Sequence, residues 1–241
     1  MKPNAVKYFI YGEHNDAKGH AFINDPPTLN PTRRAIFLGD IVDLCEMTKS
    51  VTTLKGIFDA IGVNVPNIFP VDDIDFINGM FQRLFESKNI TSFNVDSPSE
   101  MKTIPKIHDM CVVDEWNADA PNFTFIFGNH EIDLLSALTF PYEVTKQGDN
   151  ISYVVESHYR DMKTKQMQVD EIQFTLTVNE LKLIYHYLSL CQPYLIIKSP
   201  QGWSDLYIHN WKNAVILNSC GPFRVCMRTH QMLRALCFGT S

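Results

Sequence analysis

Two periodicities divide the chain. The runs "VKYFIY" (6–11), "AIFLGD" (35–40) and "FTFIFG" (123–128) are short, apolar, and rich in β-branched and aromatic residues. Each runs into a glycine, and this pattern predicts buried strands. Between the first two, residues 15–34 carry Asn, Asp, Gly and three prolines, which predicts a loop. Helical spacing appears over 45–62, closed by Gly62, and more clearly over 72–87. There Ile74, Ile77, Phe81, Leu84 and Phe85 fall on one face, with Asp72 or Asp73 placed to cap it. Residues 88–121 show neither period. After the third strand, "EIDLLSAL" predicts a helix. The stretch 140–176 is compatible with a hairpin built from "ISYVVESHY" and "EIQFTLT". "TVNELKLIYHYLSLCQ" predicts a helix opened by a capping box, Thr177 with Glu180. Strands are expected at "YLIIK", "DLYIH", "AVILN" and "FRVCM". Apolar strands alternating with helices indicate an α/β fold, read as a single domain over 1–241.

Composition narrows the function classes. The chain has 241 residues, 45% hydrophobic and 20% charged, enough to bury a core. The net charge of −6 makes a general nucleic-acid binder unlikely. No apolar run approaches the roughly 18 residues of a membrane span. The first apolar run is too short for a signal peptide, which predicts a cytoplasmic or nuclear location. Six scattered cysteines without a CxxC pair suggest reduced, buried thiols.

The chemistry lies where strands end. The first strand leads into Gly12-Glu13-His14. The second leads into "GDIVD", with Asp40 and Asp43. The third leads into "GNHE", with Asn129, His130 and Glu131. "LYIHNW" ends in His209. Ligands in open α/β sheets bind beyond the carboxyl ends of strands, so residues far apart in sequence can converge there. Asp, Asn and His together suit manganese, iron or zinc, and a pair of such ions can hold a phosphate and activate a water. His20, His108, His158 and His186 are read as structural or exposed.

"GDIVD" followed by "GNHE", each closing an apolar strand, resembles the calcineurin-like metallophosphoesterases. The later helix, "PYLIIK" and "DLYIHNW" are similar to the branch holding phosphoprotein phosphatases and diadenosine tetraphosphate hydrolases. The ordering covers most of the chain; about twenty residues match closely. The resemblance implies a four-layer α/β/β/α sandwich and hydrolysis of a phosphate monoester or nucleotide phosphate by a metal-bound hydroxide. It implies one or two divalent transition-metal ions. Asp40 would bridge them, Asn129 and His209 would bind one, and His14 the other, with His230 as the last ligand. His130 would protonate the leaving oxygen and Asp43 would orient it. Glu131 is expected to be support only. The substrate would be a phosphoprotein or a small phosphate ester.

Two positions depart from the family pattern. Gly12 stands where the first motif has a metal carboxylate, with Glu13 or Asp16 as substitutes. Leu44 stands where an arginine grips phosphate, and leucine offers no donor. Arg33, Arg34, Arg224 and Arg228 are the candidate replacements, and Arg228 also competes with His230 for its place. The gap between the motifs is longer than in the family. Its extra segment, 50–115, is read as a helical insertion that could serve as a lid, a protein-partner surface or an oligomer contact. These departures define the rival reading: a degenerate member, viral or otherwise fast-diverging, kept as a binding or structural protein.

Overall fold

In the computed structural model, residues 6–11, 22–66, 73–88, 112–114, 121–160, 167–193, 195–198, 204–208 and 223–227 are described, with backbone alone at 112–114, 129, 157–160, 167–168, 204–208 and 223–227. Its organising element is a parallel sheet. β1 (Lys7–Tyr11), β2 (Arg33–Phe37), β4 (Phe123–Ile126) and β8 (Cys191–Gln192) lie in the order β1-β2-β4-β8. Every neighbouring pair is parallel, with Ala35 opposite Phe123 and Phe125 opposite Cys191. A second sheet has the order β11-β10-β9-β3. It comprises β3 (Val112–Asp114), β9 (Leu195–Lys198), β10 (Ser204–Ile208) and β11 (Phe223–Met227). Three antiparallel strands, β5 (Glu143–Gln147), β6 (Asn150–Arg160) and β7 (Met167–Thr177), form a third.

Strand alternation explains why the parallel sheet is apolar on both faces. Ala35, Phe37, Phe125 and Phe127 point into a large core shared with the helices. Ile36, Leu38 and Ile126 point the other way, onto Leu195 and Ile197 of the second sheet. A helical layer, the parallel sheet and the second sheet therefore stack in that order. The fold is mixed α/β, as the sequence predicts.

The first face is covered by α1 (Met47–Ile61), α2 (Ile74–Ser87), α3 (Asn129–Thr139) and α4 (Val178–Leu190). Their ends follow the sequence. Gly62 takes φ 70°, and the Val63 N–H reaches the Phe58 carbonyl at 3.0 Å, a Schellman closure. Asp73 caps α2 by accepting the Asp75 N–H at 2.9 Å. Thr177 and Glu180 make the predicted reciprocal box at α4. Ile77, Phe81 and Leu84 are buried, as their spacing implies. Leu54, Ile57 and Phe58 of α1 join them, so both helices of the 50–115 segment belong to the main core. Lys88, just past α2, donates to the Ser189 and Cys191 carbonyls at 2.8 and 2.7 Å, satisfying the end of α4.

Some boundaries differ from expectation. β2 begins at Arg33, inside the predicted loop, and Phe22 from that loop is fully buried. The helix after the third strand starts at Asn129 rather than Glu131. Cys191 and Gln192 leave the predicted helix and pair with β4. The expected hairpin gains a third strand, β5, joined by a turn in which Gly148 takes φ 61°. "AVILN" lies outside the described residues. Of the two cysteines whose side chains are described, Cys191 is buried as expected, whereas Cys45 is exposed; both are free thiols. No described helix is long and apolar enough to cross a membrane.

Candidate active site

β2 and β4 are parallel neighbours, so their carboxyl ends lie side by side. The chain turns sharply after each, at Gly39-Asp40 and at Gly128-Asn129. Gly39 has φ 84° and Asp40 φ 55°, left-handed values that glycine adopts freely and aspartate tolerates at a cost of about 1 kcal/mol. A side chain on Gly39 would collide with the Gly128 backbone, and one on Gly128 would collide with Asp40 and Glu131. Each motif therefore needs its glycine so that the two turns can touch.

The tie between the turns is Glu131, fully buried at the third position of α3. Its carboxylate accepts five hydrogen bonds: Oε2 from the Asp40 and Gly128 N–H at 2.7 and 2.8 Å, and Oε1 from the Ile41 N–H, Val42 N–H and Tyr187 O–H at 2.8, 3.3 and 2.8 Å. Burial pushes this carboxyl up, as does the charge of Asp40; the Asp40, Tyr187 and Ile41 donors pull it back. All five partners donate, so the ionised acid is the form that satisfies them. Glu131, expected to be support only, holds both motifs in register. Its signal in the sequence was an acid three residues after the turn glycine, the reach-back half of a capping box.

On this frame sit the two expected chemical groups. Asp43 Oδ1 accepts the Cys45 N–H at 2.8 Å, capping the short helical turn Leu44–Glu46. Its backbone N–H donates to Ser50 Oγ at 2.8 Å, and the Ser50 hydroxyl donates to the Asp43 carbonyl at 3.2 Å. That leaves Asp43 Oδ2 facing His130 Nδ1 at 3.6 Å, an ion-pair distance. His130 and Asp43 side chains are 35% and 29% exposed, so the pair is open to a substrate. The His130 backbone N–H also donates to Asp40 Oδ1 at 3.3 Å. An imidazole aimed by a carboxylate and open on its far side can deliver a proton.

Asp133, one turn after His130, was not singled out by the sequence. Asp133 is exposed to solvent, yet partial desolvation by the protein around it raises its carboxyl. The His130 imidazole opposes that shift, and Asp40, Glu131 and Asp43 add to it. Cys45 is exposed, but partial desolvation raises its thiol and Asp43 raises it further, which favours the neutral form.

The remaining expected site residues divide by what is described. Asn129 opens α3, next to Gly128. His14, His209, His230 and Arg228 lie outside the described residues. Among the described residues no group of three or more His, Cys, Asp or Glu side chains is gathered as a metal cage. Leu44 is buried and packs into the core instead of facing the site. Arg33 and Arg34, candidate replacements for a phosphate-gripping arginine, stand away from the motif turn. They start β2, on the order of 15 Å from the motif turn at about 3.3 Å per strand residue. Arg34 is buried with Nε donating to the Pro31 carbonyl, and Arg33 lies over the Phe9 ring.

No protein-family model, curated protein or solved structure matches the chain.

Proposed function

We propose that the chain is a metal-dependent phosphoesterase of the calcineurin-like type, acting on a phosphoprotein or a small phosphate ester, nucleotide phosphates included. The observation that carries the reading is the meeting of Asp40, Asp43 and His130 at the ends of two adjacent parallel strands. The four-layer sandwich is part of the same reading. The stacking of helices, parallel sheet and second sheet supports it.

Asp40 and Asn129 would hold a divalent ion, with His14, His209 and His230 as the further ligands the resemblance implies. Asp40 fits that task as an acid held in a left-handed turn at the end of a strand. When bound, the ion would supply Lewis-acid charge neutralisation for the phosphoryl oxygens. His130 would hold a proton and give it to the leaving oxygen, while Asp43 would keep the imidazole aimed. Glu131 ties the two turns together beneath these groups.

A second reading has a specific observation behind it. Leu44 is turned into the core, so no guanidinium extends from that position to grip phosphate. A protein with this fold but without catalysis would bind a partner through the same surface. Metal content after purification without chelator, together with p-nitrophenyl phosphate hydrolysis in manganese, separates the two. The phosphoesterase reading expects bound transition metal. It also expects kcat to fall by about 100-fold or more in His130→Asn, with activity abolished in Asp40→Asn. Wild type and both variants equally inert, with no metal retained, would leave the binding protein as the answer.

A further inference from the structure

Four of Glu131's donors are backbone groups of the two motif turns. The fifth is different in kind: the Tyr187 hydroxyl, 56 residues further along, on α4. Its ring is fully buried and meets Phe125 of β4 edge-on, with centroids 5.2 Å apart. The oxygen is therefore fixed relative to the strand that leads into the His130 turn. Without it, Glu131 Oε1 would keep the Ile41 N–H at 2.8 Å and the long Val42 contact at 3.3 Å, both from the loop it is meant to restrain.

We infer that Tyr187 is a positioning residue for the candidate site: through Glu131 it sets the place of Asp40 and of the loop that leads to Asp43, without touching substrate. A carboxylate held only by the two turns would move with them. The phenol refers it to the packed core, so α4 and the strand ends keep one spacing. The kinetic consequence rests on the phosphoesterase reading; the structural one does not.

Tyr153 provides the control. It too is fully buried, but its hydroxyl has no hydrogen-bond partner among the described residues, and it sits in the antiparallel sheet. Amide hydrogen exchange on the metal-free full chain would compare wild type, Tyr187→Phe and Tyr153→Phe. In Tyr187→Phe the Asp40, Ile41 and Gly128 amides should exchange about tenfold faster, the effect of one hydrogen bond to a charged group. Amides of β6 and β7 should not change, and Tyr153→Phe should move neither set. With manganese and p-nitrophenyl phosphate, Tyr187→Phe should lower kcat about tenfold with KM within about twofold, because an aim is lost and not a contact.

Unchanged exchange at Asp40 and Ile41 overturns the inference. So does an equal rise throughout β6 and β7, which would mark a general loss of stability. If exchange responds while kcat of an active enzyme does not, Tyr187 serves the fold alone and the inference also fails. If exchange responds and the wild type has no phosphatase activity, the phosphoesterase reading falls and the structural inference stands. Should Tyr187→Phe not fold, wild-type exchange decides. One shared opening free energy for Asp40, Ile41 and Gly128 supports a single restraint, and unrelated values overturn it.

Discussion

The helix-side core and the joint between the motif turns are equally buried, but they are specified differently. In the core, Phe37 stacks on Phe125 with centroids 4.8 Å apart, and Phe58, Leu54, Ile57, Ile77 and Phe81 belong to the same buried cluster. Each side chain has many apolar neighbours, and any of these residues could be replaced by another of similar size. At the joint, one carboxylate serves five donors. No neighbour can take over if it is changed. Apolar burial spreads its stabilisation widely, whereas a buried polar joint concentrates it in two atoms. Concentration suits a place where Asp40, Asp43 and His130 must stand in one arrangement.

The contrast breaks most visibly in a pair of near-isosteric substitutions. Glu131→Gln keeps the shape but turns one oxygen into a donor, facing either two or three existing donors. It should lower unfolding stability by about 3–5 kcal/mol, as when a buried charged network loses one partner. Phe81→Leu, in the core, should cost at most about 1.5 kcal/mol. Urea denaturation of both variants measures the ratio. Equal losses would mean that the joint is no more concentrated than the core.

Glycine replacements sharpen the same contrast at smaller scale. Gly62 and Gly39 both have left-handed backbones, at φ 70° and 84°. A Cβ on Gly62 would meet nothing, so Gly62→Ala should cost about 1 kcal/mol of strain alone. A Cβ on Gly39 would run into the Gly128 backbone, so Gly39→Ala adds displacement of the two turns to the strain. Its loss should reach about 2–3 kcal/mol. A Gly39→Ala protein as stable as Gly62→Ala would show that the turns need not touch.

How much of this the sequence carried depended on the range of the interaction. Strand and helix identities came through because residues 35–38 form one short apolar run and Ile77 and Phe81 repeat at helical spacing. Caps came through because Asp73, Thr177 and Glu180 act within a few residues. The dyad of Asp43 and His130 was expected only through the resemblance of "GDIVD" and "GNHE" to a family, and their 3.6 Å separation is consistent with it. β3, β5 and β8 were not legible. Each is short or polar, and pairing with a distant strand defines it. Tyr187 was invisible for a related reason. Its place on α4 obeys ordinary helical spacing, and only the fold shows that the phenol reaches an acid. Leu44 illustrates the opposite limit: its identity removed a donor, but its burial explains where the side chain went instead.

The weakest expected effect lies at the edge of the core. His186, on α4 beside Tyr187, meets Phe58 edge-on at 5.6 Å. Burial lowers its folded pKa below the ordinary 6.5. A histidine harder to protonate in the fold than in the unfolded chain lets the unfolded state bind more protons below 6.5. Stability present above that value is therefore lost as pH falls through the window beneath it. Because the imidazole is only partly buried, the loss should be no more than a few tenths of a kcal/mol. His186→Gln should flatten the slope of the urea midpoint between pH 6.5 and the lower limit of that window, with little change above it. A steeper slope in the variant would reverse the sign, and would place the pH sensitivity on the acids of the joint rather than on the core that surrounds it.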